Sequence, residues 1–258
     1  MFRSVVISHD GSRGVEGTLQ WLEPLLGDTH SHVELFGRRD APSRSELNSR
    51  SHLEELATEL RAAGAEVTIL GEDYDLSATE HKLIVVHDPD LAIRLLRETT
   101  ASLFFTPEGV SPHVPKRIVV ALDGSRYAEQ ILPLLVPFAR AFKTEVELVR
   151  VASDEPEESV GSMLSGTREV STRRGLLRSL EKAKRFLEAE GIETVTFAAD
   201  SGRLHTRLLQ TAETDHADLV AVSTHGHNRI ARWLFGSCAE SLIREGKVPV
   251  LIRNTRSD

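Results

Sequence analysis

A chain of 258 residues is longer than one average domain of roughly 100 to 150 residues and fits two small ones. Hydrophobic residues at 40% and charged residues at 27% exclude global disorder and allow a packed core. A formal net charge of −8 excludes a general nucleic-acid binder, which needs a surplus of Lys and Arg against phosphate backbones, yet leaves room for a local anion site.

In chain order, short apolar runs predict strands at Ser4 to Ser8, His32 to Phe36, Glu66 to Leu70, Leu83 to His87 and Ser102 to Phe105. Helices are predicted at Val15 to Leu26 and Arg44 to Ala63. Three prolines and a glycine between Thr106 and Pro115 cannot sustain a helix or a central strand, so a linker is placed there. The expected division is a first domain over 1–106, a linker over 107–115 and a second domain over 116–258.

The second domain reads more plainly. Arg117 to Leu122 is a β-branched run suited to a strand buried on both faces, and Asp123-Gly124-Ser125 is a turn with a helix-capping side chain. Ile131, Leu134, Leu135, Phe138 and Phe142 then recur at helical spacing within Arg126 to Phe142. Strand two is Glu145 to Val151, followed by a polar loop over Ala152 to Gly166. Leu176, Leu180, Ala183 and Leu187 mark a helix that Gly191 caps, and strand three is Thr194 to Ala198. Leu204 to His216 is the third helix, Leu219 to Ser223 the fourth strand, Ser237 to Glu245 the fourth helix and Val250 to Arg253 the fifth strand. Alternating strands and helices predict an α/β fold in which each half is a five-stranded parallel sheet flanked by helices.

The two halves are copies. Ser4 to Arg13 aligns with Arg117 to Arg126 at an offset of 113 residues, sharing Asp-Gly-Ser-Arg, and the same offset carries Val33-Glu34-Leu35 onto Val146-Glu147-Leu148. Between its third and fourth strands the first half spends only 71–82, where the second spends 200–218, so one helix is shortened or lost. Residues 1–115 carry 10 Lys and Arg against 19 Asp and Glu, while the remainder carries 21 against 20. The acidity belongs to the first half.

In open parallel sheets a ligand lies beyond the carboxyl ends of the strands where strand order reverses. After the second half's fourth strand, Gly226 and Gly236 frame nine residues and Gly236-Ser237 opens a helix, offering free N–H groups to an anion. After its first strand, Asp123 can accept hydrogen bonds from ribose hydroxyls. Asp123 together with Ser223-x2-Gly226-x9-Gly236-Ser237 resembles the universal stress protein family, whose ATP-binding members carry Gly-x2-Gly-x9-Gly-(Ser/Thr). The resemblance implies a tandem protein of two Rossmann-like, adenine-nucleotide alpha hydrolase-like domains. It also implies that Ala121 and Asp123 line the ribose side and that Val151 offers backbone groups to adenine. Ser223, Gly226, Gly236, Ser237 and Cys238 would surround ribose and phosphates, with ATP as ligand and Mg2+ as a candidate companion. Two positions depart from the pattern: Ser223 replaces the first glycine, and Arg229, read as a solvated loop residue before a phosphate ligand, replaces another.

Blander readings are preferred elsewhere. His216, His225 and His227 lack the three or four converging ligands of a metal site. Cys238 reads as a packing residue beneath the loop before a redox thiol, Asp10 as a helix cap, and His87, Asp88 and Asp90 as a Pro-containing cap before a hydrolytic constellation. In the first half no glycine-framed loop follows strand four, so triphosphate binding is expected to be lost there. No P-loop, no Gly-x-Ser-x-Gly elbow and no phosphoryl-transfer set is found, so no catalytic residue is assigned. With one cysteine no intramolecular disulfide exists, no apolar run approaches a membrane span, and Met1 to Asp10 does not read as a signal peptide. A cytoplasmic protein is therefore expected, and the resemblance implies a stress-response sensor or regulator that binds ATP. The alternatives are slow ATP hydrolysis at the same site, or a scaffold whose ligand is not a nucleotide. The halves are expected to pair as a pseudo-dimer through Ser102 to Phe105 and Val250 to Arg253, with a further homodimer implied by the resemblance.

Overall fold

The computed structural model describes residues 4–9, 14–26, 31–37, 46–71, 74, 76, 83–110, 113–151, 173–199, 208, 210, 217–224 and 237–255. The first half contains β1 (Ser4–His9), α1 (Gly14–Leu26), β2 (His32–Gly37), α2 (Glu46–Ala62), β3 (Glu66–Ile69), β4 (Leu83–Val86), α3 (Pro89–Glu98) and β5 (Ser102–Phe105). The second contains β6 (Arg117–Ala121), a 3-10 turn (Ala128–Gln130), α4 (Ile131–Phe142), β7 (Glu145–Val151), α5 (Arg173–Ala189), β8 (Thr194–Ala199), β9 (Leu219–Ser223), α6 (Ser237–Glu245) and β10 (Val250–Arg253).

The ten strands of the described residues form one sheet in the order β3-β2-β1-β4-β5-β10-β9-β6-β7-β8. Within each half every pairing is parallel and the order is the same, so the duplication read from the sequence is a duplication of topology. The halves join where β10 runs antiparallel to β5, with Val250 opposite Phe105 and Ile252 opposite Leu103. The expected pseudo-dimer contact is the one observed.

Strand residues alternate between the faces, and the central strands β4, β5, β9 and β10 are covered on both, which is why they read as nearly continuous apolar runs, whereas the outer strands β3 and β7 alternate charged or polar with apolar residues. Ile118, Val120, Val146 and Leu148 point to the face covered by α1, α2, α4 and α5. Val119, Ala121, Val149 and Val222 point to the face covered by α3 and α6. Leu208 packs on that second face, and in the first half Leu76 does so from a short turn. The helix predicted at Leu204 to His216 lies, apart from 208 and 210, outside the described residues, as does most of 71–82.

Local chemistry sets the helix ends. Gly191, at φ +75°, closes α5 by hydrogen-bonding its N–H to Glu188 O, while Ile192 N–H reaches Leu187 O. The helix predicted from Arg126 divides: Ser125 Oγ accepts from Ala128 N at 3.0 Å and holds a tight 3-10 turn before α4 begins. Within α4, Pro137 removes the N–H that Pro133 O would otherwise receive. Among the described residues no helix is long and apolar enough to cross a membrane.

The halves are joined through their cores as well as their edge strands. Phe104 of β5 stacks on Phe138 of α4 at 5.4 Å, and Trp21 of α1 lies 5.9 Å from Phe104 and 5.6 Å from Phe142. The connection between halves is tied down by Asp218, which accepts from Lys116 N and Arg117 N and pairs with His113 Nε2 at 2.6 Å. Replacing the fully buried Phe104 by Ala should remove about 3–5 kcal/mol of stability, measured by urea unfolding in a single transition. Two separated transitions, with the loss in only one of them, would show that the halves do not share a core.

Candidate functional site

The order of each half reverses between its first and fourth strands, so the second half's switch point lies between β6 and β9. Buried Ala121 ends β6, and Asp123-Gly124-Ser125 turns the chain outward. Asp123 Oδ1 accepts from Ser125 N at 2.8 Å, shaping the turn, while the cap on the following helical turn comes from Ser125. Gly124 sits at φ +85°, a conformation that strains residues bearing a Cβ.

Across the crevice, Ser223 ends β9 and donates its hydroxyl to Ala128 O at 3.3 Å. The serine that replaces the pattern's first glycine thus ties strand four to the helical turn after strand one. Val151 ends β7, paired with Ala199 of β8, so its backbone lies at the same carboxyl edge. Gly226 and Gly236 lie outside the described residues, as do Arg229, His225, His227 and His216. Ser237 opens α6, and the first-turn N–H groups of a helix are those left without an intrahelical partner.

Cys238 packs against the apolar face shared by α3 and α6. Burial there pushes its thiol up to about 12 from an ordinary 9.0, because withdrawal from water penalises the thiolate. The half-buried thiol packs on that face, and its withdrawal from water opposes ionisation at the helix start. Glu240, an acid in the first turn of α6, is held by Arg97 at 3.1 Å and Arg244 at 3.3 Å, which offsets its negative charge near the helix start. Among the described residues no cluster of three His, Cys, Asp or Glu could hold a metal.

The sequence reading missed two residues that shape this edge. Arg150 is 5% exposed, and its guanidinium lies over Gly124: a Cβ added to that glycine would come close to Cζ and both terminal nitrogens. The available signal was alternation, since Arg150 shares the buried face of Val146 and Leu148. Asn254, fully buried just past β10, donates to Leu96 O and Thr99 O of the first half; no local pattern marks it.

The first half's switch point is built differently. His9 at the end of β1 and His87 after β4 are both buried, and His52 of α2 lies 4.8 Å from the His9 ring. Only His87 and Asp88 separate β4 from α3. Asp88 Oδ1 accepts from Leu91 N at 2.8 Å with Pro89 behind it, so the helix start carries its own carboxylate. This is the capping arrangement expected of these residues. Asp10 lies outside the described residues.

With the geometry in place, the family described as the universal stress protein family matches residues 115–253. A universal stress protein from Methanocaldococcus jannaschii is 30% identical over 142 residues, covering 53% of this chain and 81% of that protein. A crystal structure of a universal stress protein from Archaeoglobus fulgidus is similar in fold over 97% of both chains, with a TM-score of 0.65 at 17% identity. A functionally unknown protein from Pseudomonas aeruginosa PAO1 is similar over 97% of this chain and 92% of its own, with a TM-score of 0.67 at 19% identity.

Two outcomes follow from this edge. Gly124→Ala places a Cβ against the buried guanidinium at a positive φ, and should lower stability by about 1–3 kcal/mol in urea unfolding; an unchanged midpoint would overturn the close approach. Because the folded thiol holds its proton longer than the unfolded one, Cys238 supports stability fully below pH 9.0 and loses that support as pH rises toward about 12. A thiol reagent at pH 8 should therefore label it slowly in the native protein and promptly in denaturant.

Proposed function

Since this chain belongs to the universal stress protein family, we propose that its second half binds ATP, with Mg2+, and uses occupancy to regulate conformation or partners in a cytoplasmic stress response. The observation that carries the reading is positional. The matched stretch, 115–253, contains both the Asp123 turn after β6 and the Gly226-x9-Gly236-Ser237 spacing after β9, and β6 and β9 are neighbours across the strand-order reversal.

The described residues fit such a ligand. The carboxyl edge presents a turn with a partly exposed carboxylate at Asp123, the backbone of Val151 and the opening of α6. The neighbouring acid Glu240 is already paired. In this reading Asp123 accepts from ribose hydroxyls, Ala121 and Val151 border the base and ribose, and Ser223, Gly226, Gly236, Ser237 and Cys238 surround ribose and phosphates. Phosphate oxygens would meet unpaired N–H groups at the start of α6. Mg2+ would neutralise phosphate charge.

The first half, read as a second and degenerate universal stress protein domain, takes no triphosphate in this proposal. Its fourth strand leads directly into a helix whose start is occupied by Asp88. Its surplus of carboxylates also disfavours polyanions. Slow hydrolysis at the second-half site is the alternative activity, and the described residues supply no group positioned for it.

Calorimetric titration with ATP and Mg2+ should give saturable heat for the intact protein and little for Gly236→Val, which adds a branched side chain at the expected phosphate approach. Equal heats from the two proteins, or none from either, would refute the site. ATP should also survive a long incubation with saturating protein; stoichiometric loss to ADP would favour the hydrolytic alternative.

A further inference from the structure

We propose that Arg150 is a positioning residue for the ribose side of the site: its guanidinium supports the Asp123-Gly124-Ser125 turn and so sets how Asp123 meets a ribose. The inference deepens the ATP reading above and rests on it for the ligand, while the support of the turn rests on the contacts around Arg150 alone.

Arg150 lies near the end of β7, which pairs with β6 from Arg117 against Glu145 to Ala121 against Val149. Leu122 N carries the pairing one step past β6 by donating to Val149 O at 2.9 Å, so the chain enters the Asp123 turn beside Arg150. Gly124, at φ +85°, then lies so close to the guanidinium that a Cβ there would meet Cζ and both terminal nitrogens. Two bonds shape the same turn. Asp123 Oδ1 accepts from Ser125 N at 2.8 Å, and Ser125 Oγ accepts from Ala128 N at 3.0 Å. Gly124 stands between the two residues that make these bonds, so the surface it rests on fixes the direction of the Asp123 carboxylate. A planar guanidinium is a suitable surface, because its fork holds one orientation where an ammonium would rotate.

The arginine is also costly to keep. Only 5% of it is exposed, and a guanidinium has no neutral form to adopt on burial. Desolvating a permanent charge carries a penalty that an apolar side chain on this face would avoid. The duplication shows the same position without the charge. At the offset of 113 residues Gly11 stands for Gly124 and Gly37 for Arg150, and Gly37 ends β2 opposite His9 of β1. There the space is taken by Leu53 of α2, whose Cδ1 would lie 2.9 Å from a Cβ added to Gly37. An alkyl group therefore fills this sheet position in the half whose fourth strand leads straight into a capped helix. A buried cation fills it in the half that carries the nucleotide spacing.

Calorimetric titration with ATP and with 2′,3′-dideoxy-ATP, which lacks both ribose hydroxyls, separates positioning from general damage. In Arg150→Met, which keeps an unbranched chain and removes the charge, ATP affinity should fall about tenfold, the scale of one hydrogen bond to a charged group. Affinity for the dideoxy nucleotide should stay as it is in the unaltered protein. Asp123→Asn should show the same selective loss, and adding Arg150→Met to it should cost little more, because both act on one contact. Equal losses for the two nucleotides in Arg150→Met, or undiminished ATP affinity, would overturn the proposal. If Arg150→Met does not fold, Arg150→Lys, which retains the charge without the planar fork, decides by the same comparison. If the unaltered protein binds neither nucleotide, the ATP reading fails by itself, and hydrogen exchange of the nucleotide-free proteins judges the support of the turn. Faster exchange at 123–128 in Arg150→Met, with 250–253 unchanged, upholds that support, and unchanged exchange at 123–128 overturns it.

Discussion

The antiparallel pairing of β5 with β10 is the constraint on which the remaining architecture depends. Each half is a five-stranded parallel sheet, and such a sheet leaves its fifth strand with a row of unpaired N–H and C=O groups. Pairing the two fifth strands removes both of those inner edges at once and continues one sheet across the chain. It also places Phe104 against Phe138 and Trp21, so that the apolar face beneath the junction is shared by α1 and α4. On the opposite face the same junction brings α3 against α6.

From that junction the two switch points diverge. In the second half the crevice between β6 and β9 is spanned by Ser223 and the Ala128 carbonyl, and a long segment separates β9 from α6. In the first half buried His9 ends β1 and buried His87 follows β4, and α3 begins almost at once, capped by Asp88. A carboxylate at a helix start satisfies N–H groups that would otherwise be available to an anion. The charge distribution agrees, since the half with the capped start is also the one with excess acid. The two halves thus share a topology but differ at the carboxyl edge of their first and fourth strands.

Most elements were legible in the sequence because their cause is local. The runs Leu219 to Ser223 and Val250 to Arg253 coincide with β9 and β10 as apolar runs of strands covered on both faces, while Glu145 to Val151 coincides with β7 through its alternation of charged and apolar residues. Gly191 was readable as a cap because its left-handed backbone is a property of one residue. The break before α4 was less legible: the apolar stripe continues through Arg126 to Phe142, and the 3-10 turn depends on Ser125 reaching Ala128. At the site, the roles of Asp123 and Ser223 were readable only as residue types. Asp123 Oδ1 shapes its own turn through a bond two residues away, whereas the reach of Ser223 to Ala128 depends on the distance between segments far apart in the chain.

The sequence by itself determined the duplication, the alternation of strands and helices, the uneven charge of the halves and the spacing that points to an anion cradle. These follow from periodicity, composition and short-range turn chemistry, each of which is encoded within a few neighbouring residues. Only the tertiary structure decided that Arg150 lies over Gly124, that partial burial raises the pKa of the Cys238 thiol, and that Asn254 links the end of β10 to the carbonyls of α3. In each case the deciding quantity is the environment supplied by distant residues. A guanidinium, a thiol or an amide has no fixed role until packing removes its water and sets which partners remain within reach.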